Sequence, residues 1–249
     1  MNELEKTFFE AFAGMARMAP GSEASTQQAA DVLNRRKEPL AILDIGCGNG
    51  VHSLLLARLF PRAVITAVDN HAPFIETLNK SAAAQGLAHR VKGQVSDMFH
   101  LPFDAASFDL VWSEGAIYIV GFQRGLQEWQ LLLKPGGTLV CSEAVWLTES
   151  PSPEIFAFWH AEYPEIDTVA VKLQQITDNR YTLLGHFVMP ASDWEIYYRP
   201  LQQNLNRMNE TKGHLAAVQE VSQALQQEID FYRQYGREYS YAFFVMKKE

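Results

Sequence analysis

The residue types best suited to chemistry lie in the run Asp44-Ile-Gly-Cys-Gly-Asn-Gly50 and at Asp69. Glycine at every second position, Gly46, Gly48 and Gly50, lets a backbone turn approach a ligand closely. A helix starting just beyond the turn would aim its N-terminal N–H groups at the same place. The pattern is Asp-x-Gly-x-Gly-x-Gly, not the Gly-x-Gly-x-x-Gly that cradles a dinucleotide pyrophosphate. A negative charge at Asp44 would repel a pyrophosphate and suit a ligand bearing an ammonium group. Asp69 falls nineteen positions beyond Gly50, about where an acidic residue at the end of a second strand reaches ribose hydroxyls. A ribose acceptor without a pyrophosphate cradle points to a nucleoside with an amino-acid tail. Two alternatives share the glycine pattern: a tight strand-to-helix turn with no ligand, and a nicotinamide-dependent oxidoreductase with an altered turn.

Such a site needs strands that end together and helices that start there. Residues 40–45 form a short apolar run, long enough for one buried strand. Residues 51–60 place Val51, Leu54, Leu55 and Leu59 on one helical face. A second strand is expected at 63–68, ending in Asp69, then a helix at 71–85 stopped by Gly86. Further strands are predicted at 90–95, 110–113 and 138–145, with a helix at 122–133 and a Lys134-Pro-Gly-Gly137 turn. This alternation indicates an α/β fold with a parallel, doubly wound sheet. At the N-terminus, residues 2–19 read as a helix with a wide apolar face, broken at Pro20-Gly21. Ser22 then caps a second helix reaching about Arg36. These helices either pack passively on the core or close over the ligand as a lid.

The marks Asp44-Ile-Gly-Cys-Gly-Asn-Gly50, Val68-Asp69, Ser96-Asp97-Met98, Phe108-Asp109-Leu-Val and Leu133-Lys-Pro-Gly-Gly137 stand in one order and spacing. Over residues 40–147 the chain resembles the quinone-biosynthesis type of class I S-adenosylmethionine-dependent methyltransferase. More narrowly, Trp112-Ser-Glu-Gly-Ala-Ile-Tyr118, Pro20-Gly21-Ser22 and Tyr163-Pro-Glu-Ile-Asp167 are similar to a bacterial subgroup of small-molecule methyltransferases. The resemblance implies a Rossmann-like seven-stranded sheet, mostly parallel, with the last strand antiparallel, N-terminal helices and a helical C-terminal cap. It divides one domain into a lid (1–37), a cofactor-binding core (38–147), a substrate cap with the sixth strand (148–238) and a closing strand (239–249). The implied donor is S-adenosylmethionine, with S-adenosylhomocysteine as product. Asp97 would face the adenine amino group and Met98 cover the ring. Cys47, Asn70, Ser96 and Ser113 would join Asp44, Gly46, Gly48, Gly50 and Asp69 in the cofactor site.

In the resembled family the loop from Glu114 to Tyr118 handles the acceptor. Glu114 could act as a base or pair with a cationic amine; equally it could hold the cofactor ammonium or favour the following helix N-terminus. Tyr118 could orient the acceptor or simply pack. Phe156, Phe158, Trp159, Tyr163, Trp194, Tyr197 and Tyr198 either wall an acceptor pocket or form core. Asn/Asp-Pro-Pro-Tyr/Phe, Pro-Cys and the paired histidines of quinone enzymes are missing, so the resemblance selects no acceptor. A module that binds the donor or its product without catalysis is the alternative to an enzyme.

Composition narrows the partners. At 249 residues, 47 % hydrophobic and 20 % charged, the chain has length for a real core. A net charge of −8 disfavours a duplex-binding surface, and the longest basic run is only Arg35-Arg36-Lys37. Two cysteines give no disulfide framework, and the seven histidines show no paired metal-ligand spacing. With no signal peptide or membrane-length apolar run, a cytoplasmic, metal-free protein acting on a small molecule is expected, without nucleic acid or membrane. The exposed faces of the long tail helix permit a homodimer without requiring one.

Overall fold

The computed structural model describes residues 2–34, 38 and 40–249. Helix α1 spans Glu3–Ala11 and α2 spans Glu23–Val32. Asn2 and Glu5 exchange side-chain and backbone hydrogen bonds in a capping box that starts α1. The helix ends at Ala11 instead of running to residue 19. Phe12 leaves helical geometry and Gly14 adopts φ +75°, so residues 12–21 form a loop that turns inward. Ser22 caps α2 as expected, accepting from the Ser25 N–H. α2 ends at Val32, with Leu33 as its cap and Asn34 at φ +49°, short of the expected end near Arg36, which lies outside the described residues.

The core follows as β1 (Ala41–Ile45), α3 (Val51–Leu59), β2 (Val64–Asp69), α4 (Ala72–Ala84), β3 (Val91–Val95), β4 (Phe108–Ser113), α5 (Ile117–Val120), α6 (Phe122–Leu132) and β5 (Leu133–Trp146). The remainder comprises α7 (Pro153–Glu162), β6 (Asp167–Thr168), α8 (Val169–Asp178), β7 (Tyr181–Val188), α9 (Ala191–Lys212), α10 (Ala216–Tyr235) and β8 (Tyr239–Lys248). The strands form one sheet in the order β3-β2-β1-β4-β5-β8-β7. β1 to β5 pair in parallel, and β8 runs antiparallel to both β5 and β7. This is the expected doubly wound sheet with an antiparallel last strand. One strand is additional: the two-residue β6 pairs with Val145 and Trp146 at the end of β5.

The Lys134-Pro-Gly-Gly137 turn falls inside β5. Phe108 pairs with Leu133 but Leu110 pairs with Thr138, so the turn residues bulge out of the ladder. Alternating side chains of β1 enter two cores. Ile42 packs with Leu56 and Ala57 of α3, while Leu43 and Ile45 pack with Leu126 and Trp129 of α6. Helices therefore cover both faces, as a parallel sheet requires.

Candidate active site

Strand order reverses at β1, which has β2 on one side and β4 on the other. In sheets of this kind ligands bind outside the carboxyl ends of the strands at that switch point. A cavity of about 280 Å³ opens there. Its wall contains Gly46, Cys47 and Gly48 beyond β1, Asp69 and Asn70 at the end of β2, Ser96, Asp97 and Met98 beyond β3, and Glu114 and Tyr118 beyond β4. Four strand ends thus meet at one space.

Two glycines explain why the turn is so spaced. A Cβ on Gly46 (φ +73°) would lie 2.4 Å from the Ala116 Cβ, so the β1 and β4 loops could not approach. Gly48 (φ +53°) has nothing within 4 Å of its missing Cβ, leaving space for a ligand against the backbone. Asp69 holds the turn in place: Oδ2 accepts from the Gly48 N–H at 2.9 Å and Oδ1 from the His71 N–H at 2.9 Å. Each oxygen keeps a further lone pair for a ligand hydroxyl. Asp97 caps its own turn, accepting from the Phe99 N–H, and lies beside His100; both lower its pKa. It caps a turn and lines the cavity at once.

Three sequence-selected residues lie behind the wall. Gly50 is the first-turn cap of α3, packed on Leu78. The Ser113 hydroxyl donates to the Ile45 carbonyl at 3.0 Å, tying β4 to β1. Asp44 is fully buried; one oxygen accepts from the Ser53 hydroxyl, and Oδ1 has no hydrogen-bond partner among the described residues. Burial, with added repulsion from Glu114 and Asp69, pushes the Asp44 pKa up to about 7, against Ser53 and Arg17.

The cavity wall also holds two residues the sequence did not single out, Arg17 and His52. Arg17 comes from the inward-turning loop and is 8 % exposed. Its Nη1 donates to Glu114 Oε2 at 2.7 Å and reaches His52 Nδ1 at 3.0 Å. A guanidinium can only donate, so His52 Nδ1 accepts and its proton sits on Nε2. Burial and then Arg17 push the His52 pKa down to about 4, against the pull of Glu114. Glu114 also accepts from the Thr26 hydroxyl at 2.8 Å and the Trp112 indole at 2.9 Å. Burial raises its pKa, but His52, Arg17 and these hydrogen bonds outweigh that and leave it lowered. Arg17 was findable: it is the sole charged residue between Glu10 and Glu23.

Of the aromatic set, Tyr163, Trp194, Tyr197 and Tyr198 are buried in the cap and its junction with the sheet, Phe156 is exposed, and none lines this cavity. Trp194 stacks on Tyr232 and donates to Ser240. Tyr118, by contrast, lines the cavity at 38 % exposure. Among the described residues no group of three His, Cys, Asp or Glu side chains is placed to hold a metal. No helix among them is long and apolar enough to cross a membrane.

Fold and cavity together define a doubly wound α/β protein with a cavity at the sheet's switch point. Comparison with known proteins sharpens the class. Residues 42–137 match the family described as methyltransferase domain. Malonyl-[acyl-carrier protein] O-methyltransferase of Herminiimonas arsenicoxydans is 36 % identical over 65 % of this chain and 58 % of its own length. The chain thus matches less than two thirds of that curated relative. The fold superposes on YjhP of E. coli with a TM-score of 0.87 at 21 % identity, covering 98 % of this chain and 100 % of that one. It also superposes on an S-adenosylmethionine-dependent methyltransferase of Geobacter sulfurreducens, crystallised with S-adenosyl-L-homocysteine (TM-score 0.85, 19 % identity, 98 % of each chain). Residues 42–137 of this chain thus resemble a methyltransferase domain, and the fold of the whole chain is that of these two structures.

Proposed function

We propose that the chain binds S-adenosylmethionine in the cavity and transfers its methyl group to a small-molecule acceptor. The observation that carries this is the meeting of Asp69, Asp97 and the open Gly48 backbone in one cavity, with Arg17 and Glu114 in the same wall. Asp69 would accept the ribose hydroxyls through its remaining lone pairs. Met98 supplies an apolar face and Asp97 an acceptor for an adenine amino group. Arg17 and Glu114 present opposite charges to a zwitterionic amino-acid tail. Asp44 acts from behind the turn, its negative charge favoured when an ammonium group lies near. The donor supplies an electrophilic methyl on a positively charged sulphur, which departs as a neutral thioether.

The chain's own contribution is then chiefly positioning, worth up to about 7–11 kcal/mol when reacting atoms are held in line. Glu114, buried among three hydrogen-bond donors with a lowered pKa, is a weak base. We assign it to fixing Arg17 rather than to proton removal. Residues 2–34 supply Phe8, Phe9 and the stretch 16–20 of the cavity wall, which supports the division into lid (1–37), core (38–147), cap (148–238) and closing strand (239–249). Asn49 donates to the Met15 carbonyl at 2.8 Å, so the lid loop is clasped by the glycine turn itself.

Calorimetric titration with S-adenosylhomocysteine tests the donor site. Binding is expected, and Asp69→Ala should weaken it by about tenfold or more, the loss of a charge-assisted pair. No binding by the native chain ends the proposal. Product formation from amine, phenol and carboxylate acceptors tests catalysis; tight binding without turnover would indicate a non-catalytic module.

A further inference from the structure

His52 is 9 % exposed and stands in the wall of the cavity at the switch point. It lies in the first turn of α3, carried by the same glycine turn that Gly48 leaves open to a ligand. Arg17 Nη1 donates to its Nδ1 at 3.0 Å, and Glu114 Oε2 lies 3.5 Å from the same atom. Nδ1 therefore carries no proton, and the ring's one N–H is at Nε2. That N–H has no hydrogen-bond partner among the described residues, nor is it sealed in the interior as Asp44 Oδ1 is. It opens on the cavity as a buried donor, fixed in place, with its hydrogen bond still to be made.

The surroundings select what it would bind. Arg17 commits both Nη1 protons to Glu114 and His52, and its Nη2 donates to Thr26. Glu114 in turn accepts from Arg17, Thr26 and Trp112. The two charges match each other and are held, so His52 adds a donor that neither of them can turn to supply. Donation by a cation into Nδ1 draws electron density from the ring and strengthens Nε2–H toward an anionic oxygen. The ring nitrogens point away from each other, so an oxygen at Nε2 is kept apart from the Glu114 carboxylate. Burial, with Arg17, outweighs Glu114 and pushes the His52 pKa down to about 4, so the ring stays neutral at neutral pH.

We propose that His52 recognises a carboxylate, its Nε2–H donating to one carboxylate oxygen of the molecule in the cavity. This rests on the methyl-donor reading, in which that group belongs to the donor's amino-acid tail. A carboxylate-bearing acceptor is the other source of the same chemistry.

The test uses the full chain and two nucleosides, S-adenosylhomocysteine and its carboxylate-free counterpart 5′-deoxy-5′-(3-aminopropylthio)adenosine, titrated calorimetrically at neutral pH. The native chain is expected to bind S-adenosylhomocysteine at least about tenfold tighter. In His52→Leu that preference should fall by about tenfold, with affinity for the carboxylate-free nucleoside held within about twofold of native. His52→Gln, whose amide can accept from Arg17 and donate into the cavity, should recover most of the preference. A preference unchanged in His52→Leu would move the carboxylate to the acceptor. Propionate, titrated with S-adenosylhomocysteine present, should then bind the native chain about tenfold tighter than His52→Leu. An unchanged preference together with equal propionate binding overturns the proposal. NMR of the heavy-nitrogen-labelled histidines, with the His52 signals assigned by their absence in His52→Gln, gives a second readout. A neutral ring protonated at Nε2 is expected, and a proton on Nδ1 or a charged ring overturns the proposal. Failure of both nucleosides to bind would sink the donor reading, and the propionate and NMR arms would still decide this one.

Discussion

Asp44→Asn isolates the charge beneath the glycine turn. In the native chain burial lifts the Asp44 pKa from its ordinary value near 3.8 to about 7. Each pKa unit corresponds to about 1.4 kcal/mol. Protonated Asp44 therefore stabilises the fold at acid pH, and that contribution is lost as pH rises from about 4 through about 7. Between pH 5 and pH 8 the native chain should lose on the order of 3 kcal/mol from this one group. Asparagine keeps the shape and the oxygen that accepts from Ser53, but carries no charge. Urea unfolding of both proteins at pH 5 and pH 8 should show the difference in stability shifting toward the variant by that amount. Its absolute level will be offset by an unsatisfied amide, about 1–3 kcal/mol. A ligand ammonium near Asp44 should release part of its proton. Binding of S-adenosylhomocysteine near pH 6.5, measured calorimetrically in two buffers of different ionisation enthalpy, should show that release in the native chain and not in the variant. Parallel pH profiles for the two proteins would refute the reasoning, for Asp44 would then be ionised throughout.

Removing Arg17 should expose how much it balances. Arg17→Met leaves Glu114 buried and unpaired, and a loss of about 3–5 kcal/mol in unfolding free energy is expected at pH 7. Because Glu114 titrates below its ordinary range in the native chain, its stabilisation is present above about pH 4.5 and lost as pH falls through its lowered pKa. The gap between Arg17→Met and native should thus narrow in acid; a gap independent of pH contradicts the pairing. A second pair lies under the cap. Lys172, fully buried, meets Glu143 at 2.6 Å, donates to the Glu165 carbonyl and sits 4.6 Å from the Phe122 ring centre. Lys172→Met should destabilise by about 3–5 kcal/mol, and adding Glu143→Met should restore most of it. Thermal unfolding of the single and double variants decides this, and additive losses would mean the two side chains do not interact.

What was legible in the sequence was whatever depends on neighbours along the chain. Asp69 could be placed from Gly50 because strand, turn and helix have fixed lengths, and the cavity wall then followed from strand order. The first helix was read too long because residues 12–19 stay apolar. Their burial serves a loop, not a helix face: Gly14 turns the chain and Phe12 and Met15 pack inward. Arg17 and Glu114 lie ninety-seven positions apart, and nothing local marks either as the partner of the other. The cap was opaque for a different reason. Pro200 sits within α9 and argues against a continuous helix, although α9 runs from Ala191 to Lys212. Lys172 lies in no sequence motif, and its partner Glu143 comes beneath it only through β5.

The same distinction explains where specificity must reside. The residues at the strand ends are anchored to the sheet: Asp69 to the turn, Ser113 to β1, Glu114 to Trp112 on β4. Such contacts are fixed by strand register, so the donor pocket can be held constant while the protein around it varies. Phe8, Phe9 and residues 16–20 of the same cavity wall come from α1 and the loop through Arg17, which approach the sheet ends from a distant part of the chain. Phe12 stacks over Tyr197, and Asn204 of α9 donates to the carbonyls of Ala11 and Ala13, so the N-terminal segment is seated on the cap as well as on the turn. A change at the α1–α9 contact should therefore cost more in acceptor affinity than in S-adenosylhomocysteine affinity. Asn204→Ala, which frees two loop carbonyls without touching the cavity wall, is the substitution that separates the two: a loss of S-adenosylhomocysteine affinity equal to the loss of acceptor affinity would mean that lid and sheet form one site.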